Sequence, residues 1–323
     1  MSHILFAYHI PLKGKVRALT ETEREPNGPR AKTGYNWIHF TSLDSQTAPW
    51  MEADTQLDHI AEETLLAADS RPRTLLHEKA LLINLRGVNL NEGSAPEDMV
   101  GIRFFVEKNR IISVERRSLM ATEDIAKRIT QQAAPETTGG FIALFGLALA
   151  DRMNPTIVEL NEQVDTLEEK VDAGTGQSHI SELSELRRGA ILLRRYLAPQ
   201  RDALNTLSLQ SFDFINESDR LKIREAADQA TRINEELDAI RERCAIVKDQ
   251  LVDQRSEEMN RNMMVLSVVA AVFLPLGLIS GMFGINVGGM PWTETDLGFW
   301  YVTAIIIAIA AALLAVFKWA KWL

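Results

Sequence analysis

Two uncharged stretches near the C-terminal end constrain this chain more than anything else in it. Met263–Phe283 (MMVLSVVAAVFLPLGLISGMF) runs 21 residues without a charged side chain, and Leu297–Phe317 (LGFWYVTAIIIAIAAALLAVF) repeats that length. As a helix each rises on the order of 30 Å, the thickness of a bilayer's hydrocarbon core. A soluble core seldom buries two such helices, so they predict a transmembrane hairpin. Trp292, Trp300, Tyr301, Trp319 and Trp322 cluster at the ends, where amphipathic rings prefer the interface. Arg255 and Arg261 precede the first run and Lys318 and Lys321 follow the second, whereas the connecting loop carries only Glu294 and Asp296. The basic residues place both ends in the cytoplasm and the acidic loop outside.

The last 61 residues hold two acidic and two basic side chains, so the formal net charge of -9 belongs to residues 1–262. An acidic body argues against a nucleic-acid partner. It suits the attraction of cations, and equally simple solubility. Cys244 is the only cysteine, which excludes an intrachain disulfide and a thiolate zinc cage. Met1–Pro11 has a short apolar run without a basic flank or small-residue cleavage site, so no secretory signal is expected.

Residues 1–150 read as a cytoplasmic α/β domain. Ala80–Val88, Val100–Glu107 and Arg110–Glu115 have strand composition, and Thr55–Ala68 and Thr122–Ala133 have helical character. Residues 151–262 read as helical. Ile157, Leu160, Val164, Leu167 and Val171 keep coiled-coil spacing, Asp172–Gln177 breaks it, and Leu183, Leu186, Ala190, Leu193 and Leu197 resume it, predicting an antiparallel hairpin. A third series, Ile223, Ala226, Ala230, Ile233, Leu237, Ile240, Cys244, Val247 and Leu251, meets no strong breaker before the first apolar run. It predicts one stalk helix, on the order of 60 Å for about 40 residues, continuing into the membrane. Spacing alone does not separate packing within one chain from packing against other subunits. The expected plan is completed by transmembrane helix 1 at 263–283, an outer loop at 284–296, transmembrane helix 2 at 297–317 and a basic tail at 318–323.

Two spans cannot enclose an aqueous path, so any conduit requires several copies. Gly277 and Gly281 form a GxxxG pair, and Ser280 and Gly284 repeat the small-residue relation, which permits close helix approach. Pro275 removes a backbone hydrogen bond within the first span.

Directly after that span, Gly284-Ile285-Asn286 resembles the Gly-Met-Asn signature of the CorA superfamily of divalent-cation transporters, with Ile285 in place of Met. Phe273-Leu274-Pro275, Val287-Gly288-Gly289-Met290-Pro291, the terminal Lys321-Trp322-Leu323 and Leu193–Asp202 (LRRYLAPQRD) are similar to its ZntB-like zinc branch, as loosely is Ser70-Arg71-Pro72-Arg73. The resemblance implies a CorA-like, funnel-shaped homopentamer in a bacterial inner membrane. Five first spans would line the pore, five second spans would surround them, and the selectivity motif Gly284, Ile285, Asn286 would stand at the outer mouth. It implies Zn2+ as cargo, with Mg2+, Co2+ or Ni2+ as alternatives, and no tightly bound cofactor. A membrane-anchored signalling or scaffold protein is the competing class. Among enzymes, no nucleophile triad or phosphate-binding glycine loop is found.

If the first span faces a pore in register with Asn286, the inward positions are Gly277, Leu274, Ala270, Leu266 and Met263, with Asn260 at the cytoplasmic entrance. None is charged, so a divalent ion would keep much of its water shell, and Asn286 would meet the hydrated ion through its side-chain carbonyl. Asn286 as a simple helix-end residue is the alternative. Met263 and Leu266 would form apolar rings that gate by dewetting. Glu294 and Asp296 would concentrate cations at the mouth, or merely solvate the loop. Asp249 and Asp253, one turn apart, would collect or sense cations, or merely form a wet helix face. His3, His9, His39, His59, His77 and His179 are scattered, so the zinc assignment rests on the resemblance.

Overall fold

The computed structural model describes residues 3–68, 70–174, 179–210, 212–285, 290–292 and 295–320, which divide into two compact units, Met1–Lys248 and Asp249–Leu323. In the first unit, seven strands form one sheet: β1 (Ile4–Ile10), β2 (Arg17–Ala18), β3 (Tyr35–Thr41), β4 (Arg73–His77), β5 (Ala80–Gly87), β6 (Val100–Val106) and β7 (Arg110–Glu115). Their order is β2-β1-β3-β7-β6-β5-β4, with β3 and β7 parallel and every other neighbouring pair antiparallel. The helices among the described residues are α1 (Glu21–Arg24), α2 (Thr47–Ala53), α3 (His59–Leu66), α4 (Met120–Thr130), α5 (Thr138–Asp172), α6 (Ile180–Leu209), α7 (Glu217–Gly284) and α8 (Gly298–Trp319).

Side chains alternate across a strand, and the sheet uses both faces. Leu81, Ile83 and Leu85 of β5 join Phe141, Phe145 and Leu149 of α5, while Ala80 and Leu82 join Met51, Ala61 and Leu65 of α2 and α3. The result is three layers with helices on either side of the sheet. Burial on both faces leaves no exposed residue in β5 or β3. Trp37 of β3 is fully buried, its indole N–H donating to Ser113 Oγ at 2.8 Å.

The expected division at residue 150 falls inside α5. That helix begins at Thr138, ahead of the coiled-coil spacing, because Thr137 caps it by accepting from the Gly140 N–H at 2.9 Å and donating to Asp219 at 2.7 Å. A Cβ on Gly140 would lie 2.9 Å from Asp219 Oδ1, so glycine lets the starts of α5 and α7 meet closely. Leu204 and Leu207 of α6 and Ile223, Ala226 and Ala230 of α7 enter the same core as the sheet. Sheet and long helices therefore share one core rather than forming two domains. The expected helix at Thr55–Ala68 is shorter, His59–Leu66, capped by Asp58.

The seams of α5, α6 and α7 are buried within the chain: Val164, Leu167, Leu186, Leu193, Leu237, Ile240 and Val247 are each 7% exposed or less. Packing within one chain thus accounts for the third heptad series. Arg243 of α7 donates to Glu168 of α5 at 2.6 Å and pairs with Asp165, and Arg194 of α6 pairs with Asp238 of α7 at 2.7 Å. The helix α7 is continuous for 68 residues, through Pro275 to Gly284, as the absence of a breaker predicts.

Candidate functional site

The second unit contains the apolar part of α7 and all of α8. Among the described residues three helices are long and apolar enough to cross a membrane, α5, α7 and α8. More than half of the α5 window is buried against the sheet, which makes it a core helix. The α8 window has no buried residue and the α7 window is 11% buried, so their apolar surfaces require surroundings other than water.

The partly covered residues of α7 fall on one stripe: Val268, Val272, Pro275, Leu276, Ile279 and Phe283. On α8 the partly covered residues Val302, Ile306, Ile309, Leu313 and Phe317 likewise fall on one stripe. At about 100° per residue, Met263, Leu266, Ala270, Leu274 and Gly277 point about 170° away from the α7 stripe. All five are exposed, Leu266 at 69% and Leu274 at 73%. The five positions read from the sequence as inward-facing are therefore the face of α7 that the chain itself leaves bare. Gly281 and Gly284 lie on that side too. A Cβ built on Gly277, Gly281 or Gly284 would meet nothing within 4 Å, so packing within the chain does not demand glycine there.

Polar groups in the spans are satisfied locally. Ser267 Oγ donates to the Met263 carbonyl and Thr303 Oγ1 to the Phe299 carbonyl, both at 2.8 Å, as hydroxyls in apolar helices do. Ahead of α8, Trp292 adopts a positive φ of 65° and its carbonyl accepts from Thr295 Oγ1 at 2.9 Å. A Cβ on Gly298 would stand 2.3 Å from that carbonyl, so the turn into the second span needs a residue without one.

Among the polar residues read as candidates, Asn260, Asp249, Asp253 and Asp296 are all exposed. Asn286, Glu294 and Lys321 lie outside the described residues. Ile285 is 55% exposed just beyond α7. Among the described residues no group of three His, Cys, Asp or Glu side chains is placed to hold a metal ion. Several histidines have other partners: His39 is buried against Ser113 at 2.8 Å, His77 meets Asp58 at 2.9 Å and His179 meets Glu182 at 2.9 Å. Burial raises the Cys244 thiol above its ordinary range, which fits a packing role in the α7 seam and not a ligand. The partly covered stripe of α7 escaped sequence reading because the helix is apolar on every side in this segment, leaving no amphipathic contrast to follow.

A three-layer α/β unit and a pair of apolar helices, the first continuous with a helix of the soluble core, define a two-span membrane protein of the CorA type. Residues 32–319 match the family described as CorA-like Mg2+ transporter protein, and the chain belongs to that family. It is 35% identical over 289 residues to the divalent cation transporter CmaX of Pseudomonas aeruginosa, covering 89% of this chain and 87% of that one. It is 30% identical over 292 residues to the zinc transport protein ZntB of Pectobacterium carotovorum, covering 89% and 88%. The full-length CmaX structure superposes with a TM-score of 0.83 at 31% identity, covering 99% of this chain and 98% of that chain. The CorA magnesium transporter of Methanocaldococcus jannaschii gives 0.85 over 99% of both chains at 17% identity, a likeness of fold.

Proposed function

We propose that this chain transports divalent metal cations, with Zn2+ as the favoured cargo, through a pore that copies of α7 build together in a homopentamer. The observation that carries the reading is the bare face of α7: uncharged, glycine-bearing at its outer end, and opposite the partly covered stripe. One hairpin cannot surround water, so this face is left for other copies. In this reading residues 1–262 and the tail at 318–323 are cytoplasmic, the loop at 284–296 is outside, and the membrane is the bacterial inner membrane.

A lumen lined by Leu274, Ala270, Leu266 and Met263 offers no ligand to replace water around a divalent ion. Stripping that ion would cost far more than such a wall returns, so it travels hydrated. Asn286 then selects at the mouth through hydrogen bonds to the hydration shell, and Glu294 and Asp296 raise the local cation concentration. Leu266 and Met263 form the narrow apolar rings at which the path dewets and closes. The preference for zinc is supported by the ZntB relatives. A pore of this kind discriminates modestly, and Mg2+, Co2+ and Ni2+ are the alternative cargoes; the family's own description names Mg2+.

The test is reconstitution of the purified chain in liposomes loaded with metal-sensitive and pH-sensitive dyes, with Zn2+, Mg2+, Co2+ and Ni2+ offered in turn, alongside native mass measurement. Saturable metal influx by a five-subunit particle supports the reading. A protein that is monomeric in mild detergent and in nanodiscs, or that passes no divalent ion, would remove it and leave the membrane-anchored signalling class.

A further inference from the structure

The soluble unit contains a cleft of about 600 Å3 whose wall is basic, in a chain whose net charge is -9. Arg86, Arg103, Arg116, Arg117 and Arg195 line it together with Tyr196. Arg86 is fixed from below: it donates to the Ser70 carbonyl at 3.1 Å and the Met99 carbonyl at 2.9 Å, and its guanidinium lies 4.0 Å from the centre of the Tyr196 ring. Arg103, also buried, donates to the Ala68 carbonyl at 3.2 Å. Arg116 and Arg117 stand on the turn after β7, and Arg195 on α6, all three exposed. None of these three has a carboxylate within ion-pair distance among the described residues, and what sets them apart from other such arginines is that they converge on one cleft.

Five arginines against the two carboxylates of the wall, Glu97 and Asp98, leave an excess of positive charge, and an anion is what relieves it. The planar guanidinium fork matches phosphate oxygens two at a time. The remaining wall is not uniform. Met99, Val100 and Leu192 supply apolar surface, and Glu97 and Asp98 supply acceptors that suit hydroxyl or amino donors. A bare phosphate would use only part of this cleft, whose volume lies in the range of small-molecule sites.

We propose that this arginine-lined cleft binds a soluble organic phosphate of nucleotide size, its phosphates on Arg116, Arg117 and Arg195 and its sugar or base toward Tyr196, Glu97 and Asp98. The site is built entirely from the first unit and does not depend on the transport reading.

The experiment is calorimetric titration of the full chain in detergent, in metal-free buffer, with ATP, adenosine and inorganic phosphate as separate probes. The partner is the triple variant Arg116→Ser, Arg117→Ser, Arg195→Ser. Because all three side chains are exposed the variant should fold, and an unchanged circular-dichroism melt confirms it. Saturable ATP binding is expected, weakened about tenfold or more in the variant and by added salt, since each charge-assisted contact contributes about that factor. Adenosine alone should not saturate. Absence of saturable ATP binding, or equal affinity in the variant, overturns the proposal. Equal affinity for inorganic phosphate and ATP overturns the assignment of an organic moiety. A variant that changes only the particle's mass shows a subunit contact in place of a ligand site, and overturns it as well.

Discussion

Replacing Gly277 and Gly281 together with alanine separates the needs of one chain from the needs of an assembly, because the two make contributions of opposite sign. Within the chain a Cβ at either position meets nothing within 4 Å. Alanine there only removes the backbone freedom that glycine loses on helix formation, which stabilises by about 0.5–1 kcal/mol per site, or about 1–2 kcal/mol for the pair. If glycine is instead present so that another α7 can approach, the added methyls fall between helices, and the loss recurs at every subunit contact. The expected result is a lighter particle by light scattering, with metal influx reduced in proportion, and a helical content by circular dichroism that is unchanged. The bulkier Gly281→Leu should complete the dissociation. A double-alanine protein with native mass, native flux and a higher melting temperature would refute the claim that this face meets another copy.

Three further outcomes follow from single residues. Leu266→Ser should raise metal leak several-fold in liposomes by wetting the narrowest apolar ring; unchanged flux would count against a gate there. Burial, and after it the nearby Asp219 charge, raises the Tyr35 phenol above its ordinary value of 10. The unfolded chain then ionises first as pH rises, so the soluble unit should keep its stability below about pH 10 and lose it progressively above. Tyr35→Phe should flatten that alkaline loss, measured by melting between pH 8 and 11, while costing about 1 kcal/mol at neutral pH for the bond from the hydroxyl to the Pro135 carbonyl. Gly298→Ala places a Cβ 2.3 Å from the Trp292 carbonyl, and should lower the yield of assembled protein without altering the isolated soluble core's melt; assembly at wild-type level would show that the turn can yield.

The sequence displayed its membrane segments plainly because absence of charge over 21 residues has few soluble explanations. The α7 seam was equally readable, since Ile223 to Leu251 keep a period that only a helix satisfies, but its partners were not. Whether heptads pack within or between chains depends on tertiary contacts such as Arg243 with Glu168. Strands β1 and β3 were missed. In β3 (YNWIHFT) apolar and polar residues are buried alike, Asn36 and His39 included, so the alternation that marks a half-exposed strand is absent. The start of α5 lies ahead of the coiled-coil spacing and was not read, because the partner of its capping Thr137 is Asp219, 82 residues away. In the apolar segment, the five positions chosen by register alone are exposed, as is most of α7 there, and uniform hydrophobicity hides the partly covered stripes of both helices. The arginine cleft drew residues from four separate stretches of chain, which no local pattern joins.

Each of the three longest helices carries an internal proline, Pro155 in α5, Pro199 in α6 and Pro275 in α7. In each case the carbonyl four residues earlier loses the donor a regular α-helix would give it. For Asp151 and Arg195, on the soluble unit, solvent can supply the missing proton. In a membrane Ala271 would lie among hydrocarbon, where an oxygen without a donor costs several kcal/mol. Pro275 belongs to the partly covered stripe and not to the bare face, so the freed carbonyl marks the side of an otherwise featureless apolar cylinder that protein must keep covered.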